Sequence, residues 1–242
     1  IATTPQDNDL TMRHAVYYAP PAGSPLHRLG SSWLGRDAVR GEAVPQPKIA
    51  GLADATLEPA RYGFHATLKA PFTMNSDMKR VELGDAVALL AAQMDLVTIP
   101  RLALRDIDGF LALVPDEPVV AISVLAEFCV CAVDAFRTPA NEAELKRRRA
   151  ANLTPRQEFL LMRWGYPYVL DEFRFHMTLT RRLLPDEKPT LLAAATEHFA
   201  AVIGQPLDVD ALTVFAETRF DRTFVAEERF PLRQVNKMKA AS

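Results

Sequence analysis

Two six-residue stretches pair an imidazole with a hydroxyl at the same spacing: Gly63-Phe64-His65-Ala66-Thr67-Leu68 and Arg174-Phe175-His176-Met177-Thr178-Leu179. Each alternates apolar and polar residues, the pattern of a half-buried β-strand. Side chains two apart on a strand share a face. His65, Thr67 and Lys69 are therefore expected to point one way, and His176, Thr178 and Thr180 likewise on the second strand. Opening a cyclic phosphodiester needs one group to take a proton from water and another to give one to the leaving oxygen. Histidine, with an ordinary pKa of about 6.5, can do either, and each positioned group typically contributes about 10²–10⁴-fold. The threonine hydroxyls can donate to the non-bridging oxygens, where charge builds. Two such faces across a cleft are the minimum equipment for this chemistry without a metal. Lys69 on the His65 face, Arg174 and Arg182 with the parity of His176, and Tyr17 on an early strand are candidate substrate contacts.

The elements around the two stretches match in order and spacing. After the first come a helical pattern over residues 76–96, a strand-like run over 97–105, the turn signal Asp108-Gly109, and a strand over 110–114. After the second, a helical pattern over 189–203 is closed by Gly204, and 207–216 with 223–230 form a hairpin around Asp221-Arg222. His65 precedes Gly109 by 44 residues and His176 precedes Asp221 by 45. This predicts an α+β fold of two pseudo-symmetric lobes, with antiparallel sheets and flanking helices around a central cleft. The motif strands are expected near 63–70 and 173–181, and a helical insert near 119–165 lies between them. That insert holds an apolar stretch, a charged one, and a helix opened by Thr154-Pro155-Arg156-Gln157 and ended by Gly165. Residues 13–19 read as a strand and 24–34 as a short helix, while 41–59 is Pro-rich and expected to be an irregular, flexible loop. Residues 12–242 are expected to form one bilobal domain. Residues 1–11 are polar and aperiodic, a disordered arm or a cloning remnant, with Met12 a candidate start.

Composition narrows the function. The chain has 242 residues, 49% apolar and 24% charged, as soluble globular proteins have. A net charge of −2 argues against gripping long nucleic acid, which needs a strong basic excess, but not against a small phosphate-containing substrate. No apolar run approaches the roughly 18–20 residues that span a bilayer, so no membrane partner is expected. Cys129 and Cys131, two apart in an apolar stretch, suit neither a disulfide framework nor a zinc site. Reduced, buried thiols and a cytoplasmic protein are expected. No metal or cofactor is called for, and the oligomeric state stays open.

The paired His-x-Thr strands resemble the 2H phosphoesterase superfamily, whose members carry two pseudo-symmetric lobes. They act on cyclic or 2′-linked phosphodiesters without metal. The family motif maps onto His65-Ala66-Thr67 and His176-Met177-Thr178. The stretches Tyr17-Tyr18-Ala19-Pro20, Trp33-Leu34-Gly35-Arg36-Asp37, Tyr62 to Phe72 and Trp164-Gly165-Tyr166-Pro167 are similar to a DUF1045-like bacterial branch linked to phosphonate utilisation. That resemblance implies a small cyclic sugar phosphate, or a nucleoside 2′,3′-cyclic phosphate, more than RNA ends. It makes His65 and His176 the base–acid pair and Thr67 and Thr178 the phosphate-orienting hydroxyls.

Other readings stand beside these. The histidines can be structural or a poor metal pair, and the threonines simply good strand residues. His14, His27 and His198 lack repeated context and read as structural or surface. The run Lys146 to Arg149 reads first as a solvated helix face. Tyr17, Trp33, Trp164 and Tyr168 read first as core. A cleft that binds a cyclic phosphate or RNA end without turnover, and a 2′-5′ RNA ligase-like transesterase, are the functional alternatives.

Overall fold

The computed structural model describes residues 12–234, so the arm expected over residues 1–11 lies outside the described residues. The chain runs β1 (Arg13–Tyr18), α1 (Pro25–Leu34), β2 (Arg36–Asp37), β3 (Glu42–Ala43), α2 (Leu52–Tyr62), β4 (Ala66–Thr73) and α3 (Arg80–Gln93). It continues through β5 (Val97–Ile99), β6 (Leu102–Ile107), β7 (Phe110–Pro115), α4 (Val120–Ala132), α5 (Glu142–Arg149) and α6 (Pro155–Trp164). The last part holds β8 (Met177–Thr178), α7 (Lys188–His198), β9 (Leu207–Val209), β10 (Ala211–Glu217) and β11 (Phe224–Pro231). The fold is α+β, with antiparallel sheets and flanking helices.

Seven strands form one sheet in the order β11-β10-β1-β4-β8-β7-β6, every pair antiparallel. The two halves of the chain interleave in it. β4 and β8, which carry the two motifs, are neighbours through the single pair Ala66↔Met177. β8 is flanked on its other side by β7 from the first half, and β1 by β10 from the second.

Alternation along β1 sorts the sheet into two faces. Val16 and Tyr18 enter the large core with Leu68, Phe72, Leu83, Val87, Leu125 and Cys129, beneath helices that include α3 and α4. Ala15, Tyr17 and Ala19 face the other way and pack with Phe215 and Phe224. Each large aliphatic or aromatic side chain taken fully from water contributes roughly 1.5–3 kcal/mol, so the large core holds β4 in place while its other face stays open.

Several expectations need correction. Residues 41–59 are not wholly irregular, because α2 begins at Leu52 after Gly51 in the left-handed region and buries Leu52, Ala55, Thr56 and Pro59 on one face. The run 97–105 breaks at Pro100 into two strands, and β5 leaves the large sheet to pair with β9. Gly204 does not cap α7, which ends at His198, and its N–H instead meets the Leu102 carbonyl at 2.7 Å. Cys129 is buried but Cys131 is exposed, since residues two apart on a helix lie about 200° apart.

The second motif strand is the largest departure: only Met177–Thr178 is paired strand, rather than 173–181. The Leu179 N–H still meets the Leu111 carbonyl at 2.8 Å, but around it the ladder gives way to other partners. The Thr180 hydroxyl accepts the Leu111 N–H at 3.0 Å, and the Trp33 indole N–H donates to the Leu179 carbonyl at 3.0 Å. The Arg181 N–H donates to the Ala55 carbonyl at 2.7 Å. That carbonyl is available because Pro59, four residues on in α2, has no N–H to offer it. The proline that argued against a helix thus supplies the acceptor that pins the segment after the motif.

Candidate active site

A cleft of about 830 Å³ opens on the face of the sheet opposite the large core, within the range of small-ligand sites. His65, Thr67, His176 and Thr178 all line it. His65 sits one residue before β4, where Gly63, at φ 75°, ends α2 and turns the chain into the strand. A Cβ on Gly63 would lie 2.2 Å from the Ala38 Cβ, so glycine is required there on two counts.

Both imidazoles are held in one way. His65 Nδ1–H donates to the Gly63 carbonyl at 2.9 Å, and His176 Nδ1–H to the Arg174 carbonyl at 2.7 Å. A carbonyl only accepts, so Nδ1 carries the hydrogen on each ring and Nε2 is left for proton exchange. His65 Nε2 lies 3.1 Å from the Thr67 hydroxyl. Burial pushes the His65 pKa down to about 4, against the opposing effect of the Gly63 carbonyl, and a charge on His176 lowers it further. Burial lowers His176 as well, its carbonyl partner opposing. The two rings therefore share one electrostatic field, in which burial favours the neutral form of each.

Of the other residues expected to touch substrate, Tyr17 and Arg182 line the cleft. Tyr17 stacks on His65, and Arg182 donates to the Asp108 carbonyl at 2.7 Å. Arg174 does not reach the cleft: its side chain is exposed, and only its backbone serves, holding His176. Lys69 does not share the His65 face either. Tyr17 pairs with Thr67 but Val16 with Lys69, so β4 carries an extra residue at a bulge and its alternation shifts. Lys69 is 2% exposed, its ammonium 3.1 Å from Asp134, while Ala70 and Pro71 take the cleft face.

Other groups in the cleft had weaker signals in the sequence. Arg147 and Arg148 of α5 line it, contrary to the reading of their run as a solvated face. Arg149 is turned away to Glu158, at 2.5 Å. Arg13 and Tyr62 enter from β1 and α2, Tyr166 follows α6, and Arg61 and Arg181 complete the cationic wall. Among the described residues that line it, Glu58 is the only carboxylate. Among the described residues, no three His, Cys, Asp or Glu side chains group as metal ligands, and no helix is long and apolar enough to cross a membrane.

Residues 67–225 match the family described as "Protein of unknown function (DUF1045)". The chain belongs to the DUF1045 family. This DUF1045 chain is 40% identical over 228 residues to "Ribose 1,5-bisphosphate phosphokinase PhnN" of Janthinobacterium sp. (strain Marseille), covering 90% of this chain and 50% of that protein. To the protein of the same name from Laribacter hongkongensis (strain HLHK9) it is 37% identical over 215 residues, 88% of this chain and 50% of that one. The chain spans about half the length of these curated relatives. Among solved structures, one titled a phosphoesterase aligns at 14% identity and TM-score 0.44, over 92% of this chain and 99% of that one. Escherichia coli LigT complexed with NADP+ aligns at 15% identity and TM-score 0.44, over 92% and 98%.

Proposed function

We propose that this DUF1045 protein opens a small cyclic sugar phosphate by metal-independent, two-histidine general acid–base catalysis, as a 2H-type cyclic phosphodiesterase. The observation that carries the reading is the shared geometry of His65 and His176, each fixed through Nδ1 to a backbone carbonyl in the cleft that Thr67 and Thr178 also line.

In this reading His65, which burial holds neutral down to about pH 4, is the standing base, and His176 is the group that enters protonated. His65 Nε2 takes a proton from water as the water oxygen bonds to phosphorus. The ring P–O bond on the opposite side breaks, and His176 Nε2–H gives its proton to that oxygen. Thr67 and Thr178 donate to the non-bridging oxygens. Afterwards the proton on His65 must return to solvent and His176 must regain one, which neutral partners on a solvent-open cleft allow.

The curated relatives point to the sugar. Their name assigns them a kinase acting on a ribose with phosphates on C1 and C5, and this chain matches half their length. Opening a ribose 1,2-cyclic phosphate at the C2 oxygen leaves the phosphate on C1. A chain joined to such a kinase and delivering its substrate would perform that step.

Phosphorus NMR in excess EDTA tests the reading, with ribose 1,2-cyclic phosphates and nucleoside 2′,3′-cyclic phosphates as substrates. Ring opening by the wild type and not by the His65→Ala/His176→Ala variant is the expected result. Binding of these compounds with no turnover would replace the enzyme by a cyclic-phosphate sensor.

A further inference from the structure

The cleft carries more positive charge than one cyclic phosphate monoanion needs, and the excess is not spread evenly. Arg181 is neutralised by Glu187, at 2.9 Å, and by Asp54. On the Tyr17 side, Arg13 makes a two-pronged pair with Glu217 at 2.6 and 3.0 Å, but that carboxylate is shared with Arg222 at 3.1 Å. Arg147 and Arg148 share a single partner, Glu144, at the long distances of 3.6 and 3.5 Å. The Arg148 side chain is 19% exposed, its guanidinium stands 4.7 Å over the Tyr166 ring, and its buried Nε–H has no acceptor. A buried donor without a partner costs about 1–3 kcal/mol, more for a charged group, so this one awaits an acceptor. Tyr17 links the cluster to the chemistry. It stacks on His65, and the charges of Arg13 and Arg148 both act on its hydroxyl.

We propose that the Tyr17 side of the cleft is a second anion subsite, in which Arg148, with Tyr166 and Arg13, holds a terminal phosphate ester of the molecule whose cyclic phosphate lies between the histidine–threonine pairs. The assignment of the cyclic phosphate rests on the function proposed above; the subsite itself rests on the arginine geometry. Its ligand class is a phosphorylated sugar or nucleotide carrying two phosphates. Arginine suits the task because its planar fork matches a phosphate in two-pronged fashion, and the Tyr166 ring fixes its plane.

The test compares ribose 1,2-cyclic phosphate with its 5-phosphorylated form, on the wild type and on Arg148→Met, Arg148→Lys and Tyr166→Phe. The 5-phosphate is expected to raise kcat/KM about 30-fold or more, the scale of charge-assisted hydrogen bonds. Arg148→Met should remove that gain through KM with a far smaller effect on the unphosphorylated substrate, and Arg148→Lys should lie in between. Equal rates for the two substrates, or equal losses on both in Arg148→Met, would overturn the subsite. If the wild type opens neither, the catalytic proposal fails, and ribose 5-phosphate then reads the subsite alone. A rise in melting temperature in the wild type, absent in Arg148→Met, supports it, and no rise in the wild type overturns it. Arg148→Lys, which keeps the charge without the planar fork, gives the same readout in smaller degree should Arg148→Met fold poorly, whereas Tyr166→Phe, which keeps the ring beneath Arg148, should retain the gain.

Discussion

Tyr17 lies nearly flat on His65, with ring centroids 3.8 Å apart and planes 21° from parallel. Tyr17 is 1% exposed and is itself braced by Phe215 and Phe224, so the imidazole is trapped between a fixed ring and the Gly63 carbonyl. Replacing the ring by Leu removes a stacking contact of about 0.5–1.5 kcal/mol and admits water beside His65. We expect Tyr17→Leu to lower kcat roughly tenfold, by the upper end of that energy. The His65 pKa should rise toward the ordinary histidine value, which NMR titration of the ring protons would show. Tyr17→Phe, which keeps the stack, should leave that pKa near its wild-type position.

The two histidines are expected to be individually indispensable. His65→Ala or His176→Ala should each cost about 10²–10⁴-fold in kcat, and the double variant little more than the worse single one, because acid and base act in one step. Multiplicative losses in single-turnover measurements would show that the two do not act together.

Activity should peak on the acid side of neutrality. In the free protein the productive state has His65 unprotonated and His176 protonated. Its acid limb falls near pH 4, where His65 takes a proton, and its alkaline limb falls below 6.5, where His176 loses one. A bound phosphate anion raises both values, so the kcat profile should lie to the alkaline side of that for kcat/KM. A kcat/KM profile flat from pH 4 to 8 would contradict this assignment.

The same shift ties stability to pH. His65 has a folded pKa below its unfolded one, so between pH 6.5 and about 4 the unfolded chain binds protons that the folded chain refuses. Stability should fall as pH falls through that window. His65→Gln, which never titrates, should show a shallower fall in urea melts across the same pH range.

Lys69 and Asp134 should behave asymmetrically. Asp134 also holds Arg137 at 3.0 Å and Arg163 at 3.1 Å, so Lys69→Met leaves it paired. Asp134→Ala leaves the Lys69 ammonium buried without a counter-charge. We expect Asp134→Ala to cost about 3–5 kcal/mol and Lys69→Met clearly less, with kcat per folded molecule unchanged in Lys69→Met. Equal destabilisation by the two in denaturant melts would contradict the role given to Asp134.

The grouping of His65, Thr67, His176 and Thr178 in one cleft was legible because period-two alternation and duplication are local signals. The strand around His65 and Thr67, and the pairing of helices with closing strands in both halves, follow from side-chain spacing alone. What escaped depends on contacts distant in sequence. The bulge that turns Lys69 to the core side shows only once β1 is paired beside β4. The shortening of the second motif strand goes with bonds to the Trp33 indole N–H, the Leu111 N–H and the Ala55 carbonyl, none of them near His176 in the chain. Arg147 and Arg148 looked like a solvated run because the sequence cannot say which helix folds over the cleft. Pro59 closes the Pro-rich run 41–59 that reads as irregular, although its missing N–H is what joins α2 to Arg181.

The interleaving of strands also bears on how such a chain can arise. A polypeptide of half this length, with one motif, would leave its motif strand lacking the neighbour it has here. It could complete the sheet only by borrowing strands from a second copy of itself. Fusing two copies end to end would make that association intramolecular and independent of concentration. The duplicated motif then reads as the trace of a symmetric dimer folded into one chain, in which the two copies were freed to diverge.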